Sequence, residues 1–250
     1  MQTKKILCCY SLNFLLIFSS VPGISKDDQK GKITYIEKKV KQKNSEAEEW
    51  KDAQQNNAVV TGDKVKTLVG SRAELQLEGL STVRLAPKTT VSVAKLFEET
   101  KDKKQESTLE IEEGDVWASC EELNEDTKFA VNSKVVGTAI RGTIFRMSVS
   151  SDQSAELKVY QGKVAVSNAP QNPNLPIQDL PRHEVSGPME VAGPTEISME
   201  EWVYLVREMQ KIKVKPTGQI DFSGDFSKKD ADEQTEWVRW NQMRDKTLDQ

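Results

Sequence analysis

The chain is poor in the residues that build metal and redox centres: its 250 residues include one histidine, His183, and three cysteines, Cys8, Cys9 and Cys120. A single imidazole excludes sites made from several histidines, and so few thiols exclude a Cys-rich zinc site. Charge of one sign is not in excess either, with 39 acidic against 35 basic residues and a net charge of −4. That balance gives no electrostatic reason to expect nucleic acid or an anionic membrane surface as a partner. No Gly-x-Ser-x-Gly elbow is present, and the lone histidine lies in a proline-rich stretch, so a Ser-His-Asp triad has no foundation. The glycines do not gather into a phosphate-cradling loop, and no calcium-loop pattern of spaced acids appears. Carboxylates are abundant, but residues such as Glu74, Glu78 and Glu110 occupy positions that alternate outward from a core, which singles out no acid–base pair. No catalytic, cofactor-binding or metal-ligating residue is assigned.

What is present begins with a leader. Lys4 and Lys5 precede the mostly apolar run Ile6 to Phe18, and a small, turn-prone stretch around Pro22 follows. That order predicts a signal peptide over residues 1–25, cleaved after Ser25. The run is shorter than the roughly 20 residues of a spanning helix, and Ser11 and Asn13 interrupt it. Cleavage would remove Cys8 and Cys9, leaving Cys120 without an internal disulfide partner in a periplasmic or extracellular protein.

From about Lys32 to Asn168 apolar residues alternate with polar ones: Ala73, Leu75 and Leu77; Val91 and Val93; Leu109 and Ile111; Phe129 and Val131; Phe145, Met147 and Val149; Leu157 and Val159. A period of two predicts strands with one buried face. Gly62-Asp63, Glu78-Gly79, Glu113-Gly114-Asp115 and Gln161-Gly162 supply residues for chain reversals. The expected fold is all-β, two stacked sheets arranged as a sandwich or a short solenoid. The charged run Glu98 to Glu106 reads as a solvated hairpin tip. Cys120 follows Val116 and Ala118 on one strand face and reads as a small buried hydrophobe.

Residues 169–196 hold six of the nine prolines and read as a linker, with one candidate hairpin, His183–Ser186 against Met189–Ala192. Residues 197–250 read as helical. Ser198 and Glu201 fit a capping box, and Trp202, Leu205, Val206, Met209 and Ile212 recur at helical spacing, predicting a helix from Met199 to about Ile212. A second helix is expected between Asp230 and Leu248, with Trp237, Trp240 and Met243 on one face. The default role of Trp202, Trp237 and Trp240 is packing, and the alternative is an aromatic interaction face.

The segments Gly62-Asp63-Lys64-Val65-Lys66-Thr67, Gly70 to Leu77, Ser81-Thr82-Val83-Arg84-Leu85, Ile111 to Trp117, Gly137 to Phe145 and Val159 to Val166 stand in an order that resembles a FecR-type domain over about residues 31–168. The resemblance implies an all-β envelope module with no catalysis. The motif residues are Gly62, Asp63, Thr67, Gly114, Gly137, Arg141, Gly142, Thr143, Phe145 and Gly162, all expected to be structural, with Gly142 and Thr143 shaping a strand entry. In the best-known members such a domain is joined through a membrane helix to a cytoplasmic anti-sigma segment and relays a signal from a ferric-siderophore transporter. A leader and no internal spanning helix depart from that plan. The expected function is therefore an exported, non-enzymatic binding or scaffold module of the cell envelope that contacts a protein or a cell-wall glycan and needs no cofactor. A signalling component relaying an envelope or iron-related stimulus is the alternative, and a carboxylate-dependent hydrolase a distant one.

Overall fold

The computed structural model describes residues 31–77, 79–169, 177–180 and 201–248. The leader, the His183 hairpin and the capping box at Ser198 lie outside the described residues.

Alternation of apolar side chains produces strands throughout, and every alternating residue named above is buried. The strands are β1 (Gly31–Glu37), β2 (Val40–Lys43), β3 (Lys51–Asp52), β4 (Ala58–Val59), β5 (Lys64–Thr67), β6 (Arg72–Leu77), β7 (Ser81–Leu85), β8 (Thr90–Glu99), β9 (Gln105–Cys120), β10 (Thr127–Asn132), β11 (Gly137–Ile140), β12 (Ile144–Val149), β13 (Ala155–Gln161), β14 (Lys163–Ser167), β15 (Ile177–Asp179), β16 (Val203–Arg207), β17 (Gln210–Val214) and β18 (Ile220–Asp225). A 3-10 turn, Ala231–Glu233, leads to helix α1, Glu236–Leu248.

Two sheets share one core. Sheet A runs β4-β1-β6-β7-β9-β12-β13-β17-β18, and all its pairings are antiparallel. Sheet B runs β3-β2-β5-β8-β9-β10-β11-β14-β16-β15, with β9–β10 and β15–β16 parallel. The 16-residue β9 belongs to both: its first half pairs with β8 and β10 in sheet B, its second with β7 and β12 in sheet A. The chain passes repeatedly from one sheet to the other, and corners at Lys38, Lys88, Gly114, Gly142, Gly162 and Met209 all have positive φ. Such a residue turns the pleat sharply, so the rungs stack like a short solenoid flattened into a sandwich.

Gly114 shows why one corner admits no side chain. At φ +111° a Cβ would lie 2.5 Å from the Thr89 Cα, the corner beneath it. Glu113-Gly114-Asp115 was expected to reverse the chain. Instead β9 bends there and continues, because each half finds its own sheet partners.

The largest correction concerns residues 199–212. The expected helix is replaced by β16 and β17, joined at Glu208–Met209, so the C-terminal region is a β-hairpin, β18 and one helix. Around that stripe stand Val203, Tyr204, Val206, Ile212 and Val214, β-branched and aromatic residues that suit a pleated surface. Strands β14 and β13 each offer an edge, β16 closes the first and β17 the second, and the backbone bonds gained outweigh a local capping signal. The second helix forms as expected, as α1. The charged run also forms as expected, a tight tip between β8 and β9 in which Thr100 N–H donates to the Lys104 carbonyl.

Candidate functional site: a charged seam beneath the C-terminal strap

Pairing register places one row of side chains across the outer face of sheet A. Tyr35 stands opposite Glu74, Glu74 opposite Arg84, Arg84 opposite Trp117, Trp117 opposite Arg146, Arg146 opposite Lys158 and Lys158 opposite Lys211. Directly opposed residues share a face, so the row is rich in cations and points away from the core. Residues 231–248 lie across it as a strap.

The strap brings acids to the cations. Arg84, wholly buried, donates from Nε to Glu74 at 2.8 Å and from Nη1 to Asp245 at 2.5 Å. The second Asp245 oxygen accepts from Trp117 Nε1 at 2.9 Å, and Arg244 donates twice to Glu74, at 2.9 and 3.0 Å. Toward the start of the strap, Lys158 Nζ pairs with Asp232 and, at 2.8 Å, with Glu233, whose other oxygen accepts from the Tyr160 hydroxyl at 2.7 Å. Arg146 grips Asp115 with Nε and Nη2, and Asp115 also accepts from Trp237 Nε1 at 3.2 Å. On α1, Trp237, Asn241 and Asp245 recur every four residues and so face the sheet together. Trp240 stacks on Trp237 at 5.5 Å and lies 5.2 Å from the guanidinium carbons of Arg72 and Arg244.

Burial alone would raise the Glu74 pKa. Hydrogen bonds from Arg244, Arg84 and Thr34 outweigh it and hold the carboxyl below its ordinary value. Asp232 is held low in the same way, with Lys158 outweighing burial. Lys158 itself is raised, because its bonds to Asp232 and Glu233 exceed the opposing effect of burial. Burial and then Glu233 push the Tyr160 phenol up. These groups are spent on one another, which makes the seam a clasp and not an acid–base pair.

Apolar contact accompanies charge in the docking. Trp237 and Val238 are the buried apolar anchors of the strap, packed with Ala86 and Trp117. Each such side chain is worth about 1.5–3 kcal/mol on burial, whereas removing one partner of a buried ion pair costs about 3–5 kcal/mol.

The sequence-predicted motif residues are elsewhere, chiefly at corners. Asp63, 1% exposed, accepts from Gln42 Nε2, Ser45 N and Val60 N and ties the turn at Gly62. Thr67 Oγ1 donates to the Ala86 carbonyl and accepts from Thr89 N. Gly142 and Gly162 belong to stacked corners: a Cβ on Gly162 would lie 2.7 Å from the Gly142 carbonyl oxygen and 2.8 Å from Thr143. Thr143 is buried, and its carbonyl accepts from Cys120 N at 2.9 Å. Gly137 opens β11, Phe145 is in the core, and the exposed Arg141 donates to the Asn124 carbonyl at 3.4 Å. The Cys120 thiol is pushed up by burial.

The three tryptophans are not brought together. Trp202 is 7% exposed in the main core, in tilted ring contact with Tyr204 and bonded to the Gly218 carbonyl, while Trp237 and Trp240 belong to the seam. Sequence reasoning missed Glu74, Arg84, Trp117, Arg146, Lys158, Glu233 and Asp245. Their signal was the bulk and charge of the outward positions on successive strands, matched by acids in the tail. Glu74 points outward from the core as expected, yet it is 5% exposed because the strap covers it. Among the described residues no group of three or more His, Cys, Asp or Glu could hold a metal ion, and no helix is long and apolar enough to cross a membrane.

Residues 63–165 match the family described as FecR protein. No curated protein matches it. Two crystal structures of a protein from Parabacteroides distasonis, provisionally named an anti-sigma factor, are similar at 16% identity. Each covers 65% of this chain and 59% of its own, with TM-scores of 0.45 and 0.44. The chain thus spans less than two thirds of those structures.

Proposed function

We propose that the chain is an exported, non-enzymatic signalling module of the bacterial cell envelope, in which the FecR-type domain receives a protein partner and the C-terminal strap relays the event. The observation that carries this reading is where the FecR-type match falls. Its motif residues are used in corners and core, so the shared pattern specifies a shape, and a shape without reactive groups acts through its surface. The strap supports the relay, since a buried ionic clasp holds one geometry firmly while a competing charge can release it.

The test is genetic and biochemical together. Crosslinked envelope fractions should yield a protein partner, and deleting the gene should change transcription of an envelope or iron-uptake set. An unchanged transcriptome with the partner still recovered would leave the scaffold reading in place of signalling. Turnover on a panel of glycans or peptides would overturn both.

A further inference from the structure

A second basic region lies outside the seam, at the corner end of the outer face of sheet B. A cleft of about 670 Å³ is lined by Lys38, Lys39, Lys66 and Lys88 together with the turn Leu68–Ser71, Thr90 and Glu113. All four lysines are exposed, and none makes an ion pair or a side-chain hydrogen bond with another described residue. Lys66 lies over the Trp50 ring at 5.9 Å, and Lys38 and Lys39 exert a longer-range pull on Glu236 and Asp52. Farther along the same face the lysines are neutralised, Lys41 by Asp52 at 2.7 Å and Lys64 by Glu112 at 2.5 Å.

The arrangement is unfavourable as a purely structural one. Lys66 stands directly opposite Lys41, a like-charge cross-strand pair of the kind that destabilises a sheet. Lys38 and Lys88 occupy corners with φ 59°, a left-handed conformation for which glycine is the default. Unpaired cations from β5 and from the corners that lead into β2 and β8 therefore converge on one cleft in a chain of net charge −4.

We infer that this cleft is a binding site for an extended acidic peptide segment of a partner protein, carrying carboxylates at alternate positions and an apolar residue next to them on the same side. Charge complementarity requires an anionic ligand. Alternate residues of an extended peptide lie about 6.6–6.8 Å apart on one side, so such a peptide presents a row of carboxylates to the lysines that line the cleft. The rim selects a peptide over a phosphate polymer: Val69 is 75% exposed at the mouth beside Leu68, and Trp50 flanks Lys66. These groups give an apolar side chain of a peptide something to pack against, which a phosphate polymer does not use. The inference does not rest on the signalling reading, because a scaffold would use the cleft equally.

The test is fluorescence anisotropy with the full chain and a labelled synthetic peptide bearing Glu at alternate positions and Leu two residues beyond the last of them. Saturable binding that weakens with added salt is expected. Lys66→Glu combined with Lys88→Glu should weaken it about tenfold or more, with Tm at or above that of the parent. The milder Lys66→Gln, Lys88→Gln pair should lose less affinity and serves if the reversed protein fails to fold. Absence of saturable binding, or affinity unchanged in both double variants, would overturn the inference. So would tighter binding of polyphosphate or of phosphatidylglycerol vesicles than of the peptide.

Discussion

The outer faces of the two sheets both carry rows of cations and use them differently. On sheet A, Arg84, Arg146 and Lys158 are covered by the strap and matched with Glu74, Asp245, Asp115, Asp232 and Glu233. On sheet B, Lys38, Lys39, Lys66 and Lys88 face water with no carboxylate in contact. The same chemistry is structural where acids have been brought to it and available where they have not. Coverage, not charge content, separates what the molecule spends on its fold from what it can offer a partner.

Removing one charge from each face should show the difference at its largest. Arg84→Ala leaves Glu74 and Asp245 buried without their shared counter-ion, and a loss of about 3–5 kcal/mol is expected. Lys88→Ala should change stability by no more than about 0.5 kcal/mol, as for a surface position. Urea unfolding of the two variants measures both, and equal losses would erase the distinction. Trp117→Phe withdraws the donor to Asp245, at about 1–3 kcal/mol for a buried acceptor left short of a partner, and the packing of the second indole ring is lost with it.

Acid should act on the seam before it touches the lysines. Glu74 and Asp232 have folded pKa values below their ordinary 4.5 and 3.8, so the stability they confer is fully present above those values. It is lost as pH falls below them, when the unfolded chain takes up protons more readily than the folded one. Lys158 is raised above 10.5, so its contribution is present through neutral pH and is lost only as pH rises beyond that value. Stability should therefore be flat through neutrality and decline at both extremes. Indole fluorescence reports the acid limb, because Trp117, Trp237 and Trp240 all belong to the seam, and Glu74→Gln should flatten it.

Much of the sheet architecture was legible, because a period of two in Ala73–Leu77 or Phe145–Val149 records a buried face directly. The stacked corners were legible as glycine motifs, although Gly114 bends a continuous strand and the corners at Lys38, Lys88 and Met209 carry no glycine signal. Trp202 to Ile212 misled because helical spacing and a capping signal are local. What decided those residues was the open edges of β13 and β14, contributed by strands some 50 residues earlier. The seam was hidden for a related reason: Glu74 reads as an outward position until a tail about 170 residues downstream covers it. Alternation tells which side of a strand is inside, but not whether the outside has a second lid.

The smallest expected effect is also the sharpest in sign. In Lys66→Glu, the new carboxylate stands directly opposite Lys41 and among Lys38, Lys39 and Lys88, turning repulsions into attractions. Opposing this is the loss of a contact with Trp50 that, at 5.9 Å, is close to the limit at which a cation over a ring has any effect. The balance is a gain of at most about 0.5 kcal/mol, the range of surface substitutions. It should be visible as a higher urea midpoint at low ionic strength and should vanish at high salt, where exposed charges are screened. A loss of stability instead would mean that Lys66 is already paired on its own surface, and the contrast between the two faces would fail at its most exposed position.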